Sequence, residues 1–188
     1  MTLDQNHKHR KIEGQPTSQP FGAPNIKLPL LETGDRLTRA EFERRYHAMP
    51  YVKKAELIEG FVYMPSPVRH KGHGEPHSHI VLWLVTYCVG TPGVSISDNA
   101  TVRLDPDNEV QPDALLRIEP TVGGNSRISD DDYIEGTPEL VVEIAASSAA
   151  YDMYDKFEVY LRNGVQGYIV GKPTTRCSIS SALLMANP

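Results

Sequence analysis

The chain has 188 residues, of which 39 % are hydrophobic, so it is long enough for one domain with a sizeable core but not for two domains of usual size. A formal net charge of -5 argues against a protein that coats nucleic acid through a basic surface, yet it allows a small basic groove or a carboxylate site for a cation. Two distant cysteines and no long apolar run indicate a cytoplasmic protein with neither a disulfide framework nor a membrane span.

Residues 1–30 are polar and rich in proline, glycine, asparagine and glutamine, and they show neither helical nor strand periodicity. This composition predicts a disordered arm. A basic cluster at residues 7–11 could contact an anion, although a solvated tail is the simpler interpretation. We therefore expect one folded domain over residues 31–188.

The first predicted helix covers residues 38–49 and begins with a capping box, in which Thr38 is followed three residues later by Glu41. Residues 55–64 predict a β-hairpin, because two short apolar runs flank a tight turn that contains Gly60.

A proline- and histidine-rich loop is expected at residues 66–76. Residues 77–89 are apolar nearly all round, which fits a buried helix or a buried strand, and their length favours the helix. Short β-like runs separated by turn residues follow at 94–97, 100–104 and 110–118.

The last third of the sequence predicts a polar loop at residues 119–136, with a turn of helix near its end, and then a strand at 139–145 that contains one acid. A continuous apolar strand of this kind is usually central in a sheet. The clearest helix follows over residues 147–165, with Ser147 or Ser148 as its cap, and a strand at 166–170 completes the order. This order predicts an α/β fold with a mixed central sheet flanked by helices.

Two acids on these strands are the strongest candidates for a functional site. Glu143 interrupts an apolar strand, and burying an unpaired carboxylate costs several kcal/mol, about 3 or more. It either lies at a solvated strand end or is matched by a cation. Asp113 follows Pro112, which marks an edge or kink that could turn the carboxylate out of the sheet. Should both strands be neighbours, a divalent cation would relieve the repulsion between the two acids.

A lysine lies on the helix that follows the Glu143 strand. Asp152, Lys156 and Tyr160 are spaced four residues apart and share one helical face, so the lysine could reach the same site. A solvated Asp152–Lys156 pair is the alternative. Glu56 opens the hairpin and matters only if the hairpin lies beside the site.

Four histidines within ten residues raise the alternative of a zinc site, since neutral imidazole is a common zinc ligand. Their spacing matches no compact zinc motif, and a histidine-rich loop that contacts phosphate or solvent is favoured. These histidines are His70, His73, His77 and His79.

Together these motifs resemble the Uma-type family of putative restriction endonucleases, which belongs to the PD-(D/E)XK nuclease superfamily. The resemblance covers residues 37–170 and depends on the order of motifs that are individually weak. They are ELIEG at 56–60, MPSP at 64–67, His77, QPD at 111–113, ELVVEI at 139–144, Asp152, Lys156, Tyr160 and GV at 164–165.

The resemblance implies a restriction-endonuclease-like fold and a metal-dependent endonuclease that hydrolyses phosphodiester bonds in DNA with Mg²⁺ or Mn²⁺. Asp113 and Glu143 match the metal-binding acids, and the backbone carbonyl of Ile144 is expected as a third ligand. The usual lysine position, two residues beyond the second acid, is Ala145 here, and Lys156 matches the displaced lysine.

Four further residues acquire expected roles from the same resemblance. Glu56 matches a further catalytic acid, Tyr160 and Asp152 are expected to support the ligands, and His77 is expected to contact phosphate. A homodimer would agree with a nuclease that cuts both strands. The alternative function is a non-catalytic binding module that keeps the fold, and a C-terminus that departs from the family pattern after Val170 points to truncation.

Overall fold

The computed structural model of the chain describes residues 28–145, 150–173 and 179–185. The predicted α/β class is confirmed, and the strands of the described residues form two mixed sheets with three helices. Most of the predicted arm lies outside the described residues, and so do the predicted caps Ser147 and Ser148.

Helix α1, Arg39–His47, begins where the capping signal predicts. Thr38 has extended backbone angles, and its hydroxyl accepts a hydrogen bond from the Glu41 amide at 3.4 Å. The Glu41 carboxylate does not complete the reciprocal half of a capping box, because it binds Arg44 and Arg45 on the same helix. The N-terminus of α1 is therefore capped by one hydrogen bond, and the acid serves the helix surface.

The predicted hairpin is formed by β1, Glu56–Ile58, and β2, Phe61–Tyr63. Both turn residues have positive φ, 53° at Glu59 and 77° at Gly60, as a tight hairpin turn requires. The hairpin belongs to a six-stranded sheet of order β2-β1-β5-β4-β8-β7. Its other strands are β4 (Val102–Asp105), β5 (Asn108–Val110), β7 (Ser126–Ile128) and β8 (Ile134–Gly136).

The prediction of a polar loop at residues 119–136 is wrong for about a third of that segment, because it contains β7 and β8. Ile134 is buried and pairs in register with Val102, so β8 adds to β4 in parallel. Polar residues dominate the local sequence, and a single long-range pairing outweighs that local signal.

The second sheet has five strands in the order β11-β10-β9-β6-β3. Its strands are β3 (Val94–Asp98), β6 (Ala114–Ile118), β9 (Leu140–Ile144), β10 (Gly167–Pro173) and β11 (Ile179–Met185). Strand β9 is central, as predicted, and pairs parallel to β10 and antiparallel to β6. Strand β11 pairs with β10 along its whole length and extends the sheet beyond the last predicted strand.

Helix α2, Glu75–Val89, confirms the predicted helix but not its burial. Ile80 and Leu84 pack on the five-stranded sheet, whereas Leu82 and Val89 on the outer face are 67 % and 83 % exposed. The predicted loop before this helix is wrong at its end, because residues His70–Gly74 form a π-helical turn that leads directly into α2.

Helix α3, Ala150–Arg162, packs in the main core between the two sheets. Val159 and Tyr160 contact residues of both, among them Ile58 of the six-stranded sheet and Val141 of the five-stranded sheet. The chain passes from β5 in one sheet to β6 in the other through residues 111–113. The junction of the two sheets therefore collects side chains from β1, β9, α3 and this crossing segment.

Candidate active site at the junction of the two sheets

Lys156 of α3 lies between acids from the two sheets. Its Nζ is 2.9 Å from an oxygen of Glu56 on β1 and 3.0 Å from Oε1 of Glu143 on β9. All three side chains are buried, with 11 % or less of each exposed. We call these three residues the Lys156 cluster. A buried carboxylate is tolerated only when it is paired and hydrogen-bonded, and one ammonium does this for both acids.

Two further hydrogen bonds hold the acids of the Lys156 cluster. The Tyr160 hydroxyl, one turn after Lys156, donates to Oε1 of Glu143 at 3.0 Å. The backbone N–H of Gln111 donates to Oε1 of Glu56 at 2.8 Å, which ties the hairpin acid to the crossing segment. The i, i+4 spacing of Lys156 and Tyr160 thus directs two donors of one helical face to one carboxylate.

Asp113 occupies the end of the crossing segment, immediately after Pro112, and its carboxylate is bound from three sides. The Ile144 N–H donates to Oδ2 at 2.7 Å, and His73 Nε2 lies 3.1 Å from the same oxygen. Lys54 Nζ lies 3.6 Å from Oδ1. Burial alone would raise the pKa of Asp113, but His73, Lys54 and the Ile144 amide lower it to about 2. Asp113 is therefore a permanent anion at neutral pH.

Glu143 and Lys156 respond differently to their common surroundings. Burial raises the pKa of Glu143, the ammonium of Lys156 opposes this, and the charges of Asp113 and Glu56 raise it further. Burial would lower the pKa of Lys156, but Glu143 and Glu56 raise it above its ordinary value. Lys156 is therefore a stable cation, and Glu143 is an acid whose surroundings favour additional positive charge.

Asp113 directly precedes β6, and Glu143 lies on β9, the antiparallel neighbour of β6. Ala114 pairs with Val142. Because this pairing is antiparallel, the residue before Ala114 lies across from the residue after Val142, and these two residues are Asp113 and Glu143. The charge of Asp113 contributes to the raised pKa of Glu143, which shows that the two carboxylates act on each other. The strand neighbours predicted from sequence are thus brought together by the five-stranded sheet.

Two histidines at the start of α2 fix the crossing segment. His77 Nε2 lies 2.8 Å from the backbone carbonyl oxygen of Asp113 and 2.9 Å from Oδ1 of Asp98. The rings of His73 and His77 stack with centroids 5.5 Å apart. The hydrogen bond to Asp113 raises the pKa of His73, and burial opposes this. Since Nε2 of each histidine faces only oxygen acceptors, each Nε2 carries a proton and donates.

The structure therefore brings five predicted residues into one region, namely Glu56, Asp113, Glu143, Lys156 and Tyr160. Ile144 enters it through its backbone, and His77 contacts the backbone of Asp113, so its phosphate contact stays a prediction. Asp152 lies on α3, and its side chain is outside the described part of the chain.

Sequence reasoning missed Lys54 altogether, and it considered His73 as part of a loop that contacts phosphate or solvent or as a zinc ligand, but not as a partner of Asp113. Lys54 stands two residues before Glu56, so an extended chain places both side chains on one face. His73 stands four residues before His77, which is helical spacing, and the π-helical turn extends that helical path backwards. Both signals were local, but neither is specific without knowledge of where Asp113 lies.

Across residues 28–145, 150–173 and 179–185, no group of three or more His, Cys, Asp or Glu side chains is arranged to hold a metal ion. Histidine zinc coordination therefore has no support there, because His73 and His77 face carboxylate and carbonyl oxygens. What the site offers a cation is two carboxylates and backbone oxygen, the hard donors that Mg²⁺ and Mn²⁺ prefer.

The comparisons with known proteins identify the family to which this α/β chain belongs. The family model of Uma2, described as "Putative restriction endonuclease", matches residues 39–178, so the chain belongs to that family. A crystal structure of a putative nuclease of DUF820 from Anabaena variabilis is similar with a TM-score of 0.55 at 13 % identity, over 76 % of this chain and 83 % of that one. At that identity the likeness shows the fold alone.

No curated protein matched the chain in sequence. Of the helices in the described residues, none is both long and apolar enough to cross a bilayer.

Proposed function

We propose that this protein is an endonuclease that uses Mg²⁺ or Mn²⁺ to hydrolyse phosphodiester bonds in DNA. The observation that carries the proposal is the convergence of Glu56, Asp113 and Glu143 on the sheet junction, with Lys156 held between two of them. The family's description as restriction endonucleases supports nucleic acid as the substrate.

The donor set fits a hard divalent cation. Asp113 and Glu143 would supply carboxylate oxygens, and the backbone carbonyl of Ile144 would supply a third. The Ile144 N–H donates toward Asp113, and in an extended strand the N–H and C=O of one residue point to the same side. Mg²⁺ commonly uses one or two carboxylates and retains several waters, so a site of this size suffices. When bound, the ion would lower the pKa of a water and stabilise charge on the phosphate.

Lys156 acts as a hydrogen-bond donor and not as a base, because the neighbouring acids keep it protonated. Its ammonium can stabilise negative charge that develops on a phosphate oxygen in the water-poor junction. Tyr160 holds Glu143 in place, and we assign Asp152 a supporting role on the same helical face. Glu56 positions the ammonium through its own contact.

The remaining contacts position Asp113. His73, Lys54 and the Ile144 amide keep its carboxylate ionised, and His77 holds its backbone. The acid is thus ready to accept a cation without first losing a proton.

The test is cleavage of linear and circular DNA with Mg²⁺, Mn²⁺ or EDTA. Asp113→Asn and Glu143→Gln should each reduce the rate by more than about a hundredfold, since residues that merely orient a metal ligand contribute about 10–100-fold. Glu158→Gln is the matched control, because Glu158 is exposed on the same helix as Lys156. Cleavage that survives both acid substitutions, or that persists in EDTA, would contradict the proposal.

A second candidate, a non-catalytic module with the same fold, is favoured by one observation. Lys156 already supplies one positive charge between Glu56 and Glu143 from within the protein, and that charge stabilises both acids without a metal. Calorimetry with Mg²⁺ and Mn²⁺ separates the candidates. An absence of binding at millimolar concentrations, together with an absence of cleavage, would favour the module.

We include a homodimer in the proposed function. The outer face of α2 exposes Leu82, Trp83 and Val89, and residues 76–89 contain no Asp, Glu, Lys or Arg. Two copies of this face could pack without burying an unpaired charge. Sedimentation of the wild type and of Leu82→Glu would measure dimerisation through this face. A wild type that stays monomeric at high concentration would exclude the homodimer.

A further inference from the structure

A cavity of 420 Å³ opens to solvent at the start of the crossing segment, where Gln111 lines it. It lies between α1, the segment before the hairpin, the start of the crossing segment and the turn before β8. Its volume is within the range of about 300–1,000 Å³ typical of small-molecule sites. None of the roles assigned above uses it.

The cavity wall is continuous with the proposed catalytic site. Gln111 lines the cavity with its side chain, while its backbone N–H binds Glu56. Asn99 also lines it, and the backbone N–H of Asn99 donates to the backbone carbonyl oxygen of Asp113 at 3.4 Å. Lys53 in the wall directly precedes Lys54, which contacts Asp113. A ligand in the cavity would therefore lie next to any group bound at the acids.

Three rings give the cavity an aromatic lining, namely Tyr46, His47 and Tyr133. His47 and Tyr133 are nearly parallel, with an angle of 11° between their planes, and are linked by a 3.2 Å contact from Nε2 to the hydroxyl. The guanidinium of Arg103 lies 4.5 Å from the centre of the Tyr133 ring and holds it in place. The rings are thus supported by the protein before any ligand arrives.

Polar groups in the cavity are oriented as well. The Gln111 side-chain amide donates to the hydroxyls of Tyr46 and Thr101, at 3.2 Å each. These two bonds use both hydrogens of its nitrogen, so its carbonyl oxygen is the group that it can offer to a ligand's N–H. Lys53 adds a cation at the exposed rim. A flat aromatic ligand with N–H edges and an attached phosphate matches this combination.

We propose that the cavity binds one unpaired nucleobase of the nucleic-acid substrate, adjacent to the phosphodiester group at the acids. This inference rests on the proposed nuclease function and assigns it a specificity pocket. Aromatic side chains bind bases through their faces, and those faces are accessible only when the base is unstacked or single-stranded. Lys53 would contact the phosphate of the same nucleotide.

The experiment titrates each of the four deoxynucleoside 5′-monophosphates into metal-free protein and measures affinity by calorimetry. The His47→Ala/Tyr133→Ala double variant should bind the preferred nucleotide about tenfold more weakly or worse, which corresponds to the loss of one stacked base. The matched control is His70→Ala/Tyr154→Ala, which removes the same residue types from exposed positions outside the cavity wall and the outer face of α2, and which should bind normally. His47→Ala alone tests the same point should the double variant not fold.

Equal affinities in the wild type and both pocket variants, or an absence of nucleotide binding at millimolar concentrations, would overturn the pocket. The DNA cleavage assay separates this from the failure of the nuclease proposal. If the protein cleaves DNA and the pocket variants change neither nucleotide binding nor the cleavage rate, only the pocket proposal is overturned. Nucleotide binding that depends on His47 and Tyr133, without cleavage, supports the pocket and overturns only the nuclease.

Discussion

Two groups of acids in the protein are each held by one cation with little exposed surface, and the two cations do this in different ways. In the Lys156 cluster, one ammonium joins Glu56 and Glu143 from two different sheets. In the second group, which we call the Arg103 cluster, one guanidinium serves four carboxylates around the six-stranded sheet. These carboxylates belong to Glu43, Glu109, Asp131 and Glu135.

The cations differ in the geometry that they impose. Arg103 binds Asp131 through both terminal nitrogens, at 3.0 and 2.8 Å, and Glu43 through Nε at 2.8 Å. This planar fork fits its partners in only one orientation, whereas the ammonium of Lys156 is a compact charge that holds carboxylates without a fixed direction. The Arg103 cluster is therefore suited to joining elements. The Lys156 cluster can exchange partners, as a catalytic site requires.

Both clusters contain more acidic than basic groups, and in each region a raised pKa offsets part of the negative charge. The pKa of Glu109 is raised to about 8, mainly because the side chain is buried and also because Glu43 lies beside it. Among the described residues, Oε2 of Glu109 is buried without a hydrogen-bond partner. Near the Lys156 cluster, it is His73 whose pKa is raised, by its contact with Asp113. One region thus favours a protonated acid, and the other favours a protonated histidine.

The largest expected effect is a loss of stability when the cation of the Arg103 cluster is removed. Arg103→Leu should lower the free energy of unfolding by about 3 kcal/mol, because the buried guanidinium joins α1 to the segment before β8 through its hydrogen bonds to Glu43 and Asp131. Arg103→Lys should lose less, since it keeps the charge but not the fork. Urea denaturation measures both. A loss below about 1 kcal/mol would show that the cluster has no structural role of this kind.

A smaller effect concerns pH. Glu109 binds a proton more tightly in the native state than in the unfolded state, so its contribution to stability is complete below about pH 4.5 and is lost as the pH rises through about 8. The free energy of unfolding of the wild type should fall across this window relative to Glu109→Gln, with a slope of at most about 1.4 kcal/mol per pH unit. Thermal melts from pH 5 to pH 9 measure the difference in slope. Parallel profiles for the two proteins would contradict a buried, protonated Glu109.

Lys156→Met should cause the smallest change in stability. It is also the variant that best tests the proposed metal site. Without divalent ions it should be destabilised by about 2 kcal/mol, because Glu143 can take up a proton in place of its lost partner. Mg²⁺ or Mn²⁺ should raise its melting temperature more than that of the wild type, since the ion would replace the missing charge. An equal metal response in the two proteins would separate Lys156 from the proposed cation site. Arg103→Lys serves as the control outside that site.

The structure also shows which local signals were sufficient. Thr38 predicted the start of α1, Gly60 predicted the hairpin turn, and the apolar run around Glu143 predicted a central strand. Lys156 and Tyr160 were placed on one helical face by their spacing alone. Each of these features depends on neighbours within about one or two helical turns, and backbone propensity and periodicity act over that distance.

Sequence by itself therefore determined the main helices and strands of this protein, its family resemblance and the acids of its candidate site. Only the tertiary structure decided the division into two sheets at residues 111–113, the pairing of β8 with β4, and the arrival of Lys54 and His73 at Asp113. The reason is physical, because strand pairing and burial join segments far apart in the chain, and their free energies outweigh local preference without leaving a local signal.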